Sequence, residues 1–201
     1  MSSFTTDSPE APAATHVRRR APIVVNLWLL LLGDILFIAS LFGAYMHSTS
    51  QEPLLFNSSQ RTIVTTSSAA SILVLVASSL FVFVGTRAAG ARKAHVSAAA
   101  ISAAIGCAIA FCALKLHEYQ QVLLQRLSPR TNAYFTYYFI FGGVHWCHVI
   151  VGVGALGYML RLTLTSPHSR SQLSRLSGGA CLWHLTVLFG VVLFALLYLP
   201  S

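Results

Sequence analysis

Acidic residues are nearly missing: Asp7, Glu10, Asp34, Glu52 and Glu118 are the only five in 201 residues, and charged residues of all kinds make up 9% of the chain. Soluble domains carry roughly 25% charged residues, so this chain cannot coat a water-facing surface, and a soluble globular domain is excluded. Also missing are a Gly-rich phosphate loop, a CxxC pair, an internal repeat, a heptad run and any low-complexity tract of length. No segment of about ten residues alternates as a membrane β-strand would, which argues against a transmembrane barrel.

What is present is apolar length. The chain is 55% hydrophobic, with a mean hydropathy of +0.69. Its apolar runs cover approximately residues 23–46, 63–86, 95–117, 133–160 and 180–199, each close to the roughly 20 residues a helix needs to cross the hydrocarbon. The pattern predicts an all-α integral membrane bundle of five transmembrane helices over residues 21–201, joined by short loops. Residues 1–20 are rich in Ser, Thr, Ala and Pro and end in Arg18, Arg19 and Arg20, a composition that predicts a disordered cytoplasmic tail. The run behind them is too long for a signal-peptide core and ends without a small-residue cleavage site, so the first helix is expected to be retained.

The formal charge of +8 sits in basic clusters at the ends of apolar runs. That placement reads as membrane topology and gives no sign of nucleic-acid binding. With the N-terminus inside, the cytoplasmic segments hold Arg18, Arg19, Arg20, Arg87, Arg92, Lys93, Arg161, Arg170 and Arg175, against Arg61, Lys115, Arg126 and Arg130 outside. The balance predicts N-in, C-out in a multi-pass protein of the cell membrane. Cys107, Cys112, Cys147 and Cys181 all lie inside apolar runs and are read as small packing residues.

A few polar groups interrupt these runs at a cost. Asp34 stands within Leu32-Gly33-Asp34-Ile35-Leu36, where an ionised Asp costs several kcal/mol, so it is expected to be neutral, paired or facing a wet interior. His145 and His148 lie three apart on one face of the fourth helix, and His184 follows Trp183 near the start of the fifth. Counting about 1.5 Å per residue from the inner helix ends puts His148 at roughly 18 Å and His184 at roughly 6 Å, too far apart to share one ion easily. Hydrogen bonding between helices is the expected role for these histidines. The same count puts Asp34 at roughly 16 Å and His145 at roughly 22 Å, predicting a bond from Asp34 to His145 or His148. Lys115 and Glu118 are three apart and can pair on one face, as an interfacial anchor at the outer end of the third helix. Tyr134, Phe135, Tyr137, Tyr138, Phe139 and Phe141 read as an aromatic belt at the outer interface.

Together these polar islands resemble subunit III of the haem-copper oxidases. Gly33-Asp34 and the Phe/Ala/Gly-rich stretch to Tyr45 are similar to the family's Ser-Glu or Ser-Asp segment and the Phe/Ala/Gly-rich stretch behind it, with Asp34 in the place of the family's membrane carboxylate. The stretch from Phe111 through Lys115 to Glu118-Tyr119 is similar to a family segment ending in Glu-Tyr. Gly143-Val144-His145-Trp146-Cys147-His148-Val149-Ile150-Val151-Gly152 matches the pattern G-x-H-x-x-H-V-x-x-G, the most specific of the signals, and Trp183-His184 matches a Trp-His pair on the last helix. The matches run in order from about residue 28 to residue 198. Two departures stand out. Val187 and Gly190 occupy the places of the family's usual Asp and Trp, and the two additional N-terminal helices of seven-helix members are lacking. Lys115 and the run Tyr137-Tyr138-Phe139 look more like the nitric oxide reductase accessory (NorE-like) branch.

The resemblance implies a non-catalytic accessory subunit. It would stabilise the catalytic subunit of a haem-copper oxidase or nitric oxide reductase and aid proton supply, with haem and copper in partner chains, no cofactor of its own, and membrane lipids around it. Two other readings remain. A small proton-coupled transporter would use Asp34 and the histidines but usually carries repeats or broken helices, and a haem-binding enzyme would need axial ligands facing each other at one depth.

Overall fold

The computed structural model describes residues 21–63, 65–165 and 170–198; the expected tail over residues 1–20 lies outside them. The described residues form six helices and no strand: α1 Ala21–Gln51, α2 Pro53–Thr62, α3 Thr65–Gly90, α4 Ala94–Leu124, α5 Ala133–Thr165 and α6 Arg170–Tyr198. Four stretches, Ser67–Gly90, Ala94–Leu124, Ala133–Thr165 and Ser171–Tyr198, are long and apolar enough to cross a membrane. The protein is therefore a helical, multi-pass membrane protein in its architecture.

Each apolar run of the sequence lies along a helix, and two differences have physical reasons. Residues 53–62 are a helix where the hydropathy shows only a loop, because Pro53 in the first turn sets the helical backbone while the segment itself is polar. The last helix begins at Arg170, ten residues ahead of its apolar run. Its first turns are polar outward, but Leu176 is buried and Gln172 Nε2 donates to the Leu162 carbonyl at 2.7 Å.

α3 and α4 form a tight antiparallel hairpin. The buried face of α3 runs Ser68, Ser71, Leu75, Ser78, Val82 and Ala89, and α4 presents Ser97, Ala100, Ile101, Ala104 and Ala108. Small residues let the two backbones approach, as is usual where lipid removes the hydrophobic drive between helices. A Cβ on Gly85 would stand 2.9 Å from Ile101, and Ser78 Oγ donates to the Ala104 carbonyl at 2.9 Å. α3 ends with Arg92 in the left-handed region, at φ 57°, while Lys93 N–H donates to Ala88 O and Arg92 N–H to Ala89 O. This pair of bonds satisfies carbonyls the helix end would otherwise leave bare. α5 and α6 meet in the same manner: a Cβ on Gly152 would stand 2.6 Å from the Trp183 ring, and one on Gly179 would stand 2.7 Å from Met159 Sδ.

The outer surface carries Leu73, Leu80, Ile109, Ile150, Val151 and Leu188, the side chains a lipid solvent favours. The expected outer belt of aromatics is corrected here. Tyr134, Phe135, Tyr138 and Phe141 are buried inside the bundle, with Tyr137 and Phe139 partly so. They join Tyr45, Phe56 and Tyr198 in a second core, because one helical face at this level points to the bundle centre. The cysteines also divide: Cys107 and Cys112 are partly buried, whereas Cys147 and Cys181 are exposed on the outside of the bundle.

α1 is held by a narrow stripe. Asp34, Ile38, Leu41, Tyr45 and Ser48, spaced alternately four and three apart, turn inward, while Leu36, Phe37, Phe42 and Met46 face outward. Its anchor is Tyr45, whose ring meets Phe56, Tyr137 and Phe141 edge-on and whose hydroxyl donates to Leu196 O at 3.2 Å.

Candidate functional site: two buried polar clusters

Four helices converge on the Glu118 carboxylate, which is 3% exposed. Ser68 of α3 donates to Oε2 at 2.9 Å, Lys115 of α4 donates to the same oxygen at 2.9 Å, Tyr138 of α5 donates to Oε1 at 2.8 Å, and Tyr198 of α6 donates to Oε1. A carboxylate offers about four lone-pair sites, and here four donors occupy them. Lys115 supplies the countercharge, donates a second bond to the Tyr198 hydroxyl at 2.9 Å, and lies 4.8 Å from the centre of that ring.

The expected pairing of Lys115 with Glu118 is thus present at 2.9 Å, with side chains only 12% and 2% exposed. The expected role as an interfacial anchor is not. The lysine turns into the bundle, because the carboxylate and the tyrosine hydroxyl offer it acceptors there that an apolar exterior lacks. Gly142 gives room for the neighbouring Tyr119, since a Cβ at Gly142 would fall 1.6 Å from the Tyr119 hydroxyl.

The second cluster joins α1 to α5. His148 Nε2 and Asp34 Oδ1 are 2.6 Å apart, and His148 Nδ1 lies 2.7 Å from the Val144 carbonyl. A carbonyl only accepts, so Nδ1 carries a hydrogen. The contact with Asp34 then requires one further proton between Nε2 and Oδ1, held either as carboxylic acid on imidazole or as imidazolium on carboxylate. In both forms the pair holds one shared proton and is neutral as a whole, which lowers the cost of keeping it among apolar helices. Between the two histidines the structure selects His148, whose Nε2 lies on the side of α5 that meets α1.

His145 behaves differently from the expectation of a bond between helices. It is 4% exposed, its ring meets Phe111 and Phe189 edge-on at 5.6 and 5.5 Å, and neither ring nitrogen has a partner among the described residues. Phe189 also meets His148 edge-on at 5.5 Å, so a single aromatic ring touches both imidazoles. Gly190 makes the space for His145: a Cβ there would lie 2.9 Å from Nε2. Val187, the other departure from the family pattern, is buried in the α3–α6 core. His184 does bond across helices, its Nδ1 2.6 Å from Ser79 Oγ on α3, away from both clusters, and Trp183 is fully buried against Gly152.

Ser68, Tyr138 and Tyr198 were not singled out as site residues by sequence reasoning. The available signal was chemical: an acid and a lysine on one face, three apart, still leave carboxylate lone pairs to be filled, and tyrosines at the same level of neighbouring helices are the donors at hand. Among the described residues no group of three or more His, Cys, Asp or Glu side chains is arranged to hold a metal ion. No protein-family model matches the chain, and no curated protein matches it.

Proposed function

We propose that this chain is a non-catalytic accessory subunit of a haem-copper respiratory oxidase, of the subunit III kind, in the cell membrane. On this reading α1 is a fifth membrane span; its 31 residues reach about 46 Å at 1.5 Å per residue, ample for a hydrocarbon core of about 30 Å. The bundle lies N-in and C-out, as its basic residues favour. Haem and copper belong to the partner chains, and this chain braces the catalytic subunit while its polar interior assists proton supply.

One observation carries the reading. Asp34 and His148 come from two of the segments that carry the resemblance, lie 114 residues apart in sequence, and meet at 2.6 Å. Glu118, His145 and Trp183, from three of the segments that carry the resemblance, are all buried in the same bundle. A second reading, the accessory protein of nitric oxide reductase, is favoured by Lys115 and Tyr138, because the residues that look like that branch build the Glu118 cluster.

Purification of the full chain from its native membranes in mild detergent tests the proposal. A haem protein is expected to co-purify, and its Soret band is expected to leave the chain when a harsher detergent separates the two. An oxidase partner supports the first reading and a nitric oxide reductase the second. Recovery of the chain with no haem protein, or a Soret band that stays with the isolated chain, overturns both.

A further inference from the structure

A cavity of about 30 Å³ lies inside the bundle between the Glu118 cluster and His145. Lys115, Tyr138, Tyr198, His145, Trp146 and Gly190 are among the residues that line it. Its polar lining is incompletely bonded. His145 Nδ1 and Nε2 and Trp146 Nε1 are buried with no hydrogen-bonding partner among the described residues. Lys115 has three N–H donors and uses two of them, on Glu118 and on Tyr198.

Leaving such groups bare inside a membrane protein is unfavourable, because apolar surroundings return none of the hydrogen bonds they lose. A buried water needs about 10–15 Å³ of space of this kind and about two to four polar partners, and this cavity meets both conditions.

We propose that the cavity is an internal water site, and that its water joins His145 to the Glu118 cluster in one continuous hydrogen-bonded chain. The water accepts from the third N–H of Lys115 and from Trp146 Nε1–H, and donates to the unprotonated nitrogen of the His145 ring. Ser68, Glu118, Tyr138, Tyr198, Lys115 and His145 then form one network across α3 to α6, and its His145 end meets the Phe189 ring that also touches His148. This site rests on the bundle alone and stands whichever partner complex the chain joins.

Trp183 supplies an internal control, because its Nε1 is also buried and unpartnered among the described residues, yet Trp183 is not in the lining of the cavity. The test is water-edited solid-state NMR on the full chain, labelled with ¹⁵N and reconstituted in lipid bilayers. Magnetisation from water is expected at His145, Trp146 and Lys115 Nζ, with none at Trp183 Nε1. In His145→Phe, which removes one of the water's three partners and puts a larger ring beside the cavity, the transfer to Lys115 is expected to fall below wild type. His145→Gln, which restores a donor and an acceptor, is expected to keep it and serves as the working variant should the phenylalanine form not fold. A dry His145 ring, transfer to Trp183 equal to that at Trp146, or transfer to Lys115 unchanged from wild type in His145→Phe overturns the proposal.

Discussion

Among the described residues Asp34 and Glu118 are the only two acidic residues set within the long apolar helices, and they are held in opposite ways. Glu118 receives donors from α3, α4, α5 and α6, with a lysine among them. Asp34 has one bonded partner among the described residues, on one helix, and hangs from the narrow inward stripe of α1. A carboxylate with every lone pair filled and a countercharge fixed beside it ties four helices at one level. A carboxyl bonded to one imidazole ties only α1 to α5. On the proposed function, this contrast gives bracing to Glu118 and proton-linked work to Asp34.

Breaking the Glu118 side is expected to have the largest effect. Lys115→Met strands a buried carboxylate, and removing one partner of such a pair typically costs about 3–5 kcal/mol. The thermal midpoint in detergent should fall steeply, and adding Glu118→Met should recover part of the loss. Equal losses in the single and double variants would show that the ion pair is not what holds the helices.

Tyr198→Phe comes next. It keeps the ring but removes one bond to Glu118 and one from Lys115, and bonds to charged groups are worth about 1.5–3 kcal/mol. The same thermal scan should place it between wild type and Lys115→Met. Gly190→Ala probes the space between the clusters. Its new methyl would stand 2.9 Å from His145 Nε2 and 3.1 Å from Leu75 Cδ2, and overpacking of that kind costs about 1–3 kcal/mol. A modest fall is expected, while an unchanged midpoint would mean that His145 is loosely seated.

Asp34→Leu should be the mildest. Hydrogen bonds between membrane helices average about 0.6 kcal/mol, and leucine suits a lipid-facing helix. A loss as large as that of Lys115→Met would erase the distinction between the two acids.

Hydropathy reports position along a helix axis far better than direction around it, and the molecule divides along that line. The apolar runs locate α1, α3, α4, α5 and α6, and a count of depth along straight helices brings Asp34 to the level of His145 and His148 without choosing between them. Direction around the axis was illegible. Tyr134, Phe135, Tyr138 and Phe141 carry the same letters whether they face lipid headgroups or the bundle centre, and it is the packing of the neighbouring helices, with Tyr45 of α1 and Phe56 of α2 among the contacts, that turns them inward. Lys115 was illegible for a related reason: its acceptor Tyr198 is 83 residues away and enters from another helix. The polar helix α2 leaves no hydropathic trace, although Gln60 from it reaches Leu196 O at 3.2 Å and helps close that end of the bundle.

The measurement that bears most directly on this division of labour is steady-state turnover per haem in the assembled complex carrying Asp34→Asn. The amide can still donate to His148 Nε2, so the contact between α1 and α5 is preserved, but it cannot hold the shared proton. The complex is expected to assemble at the wild-type yield and to turn over more slowly per haem, whereas Glu118→Gln is expected to lower the yield of assembled complex. Wild-type turnover per haem in Asp34→Asn would contradict the proton-linked role of the pair.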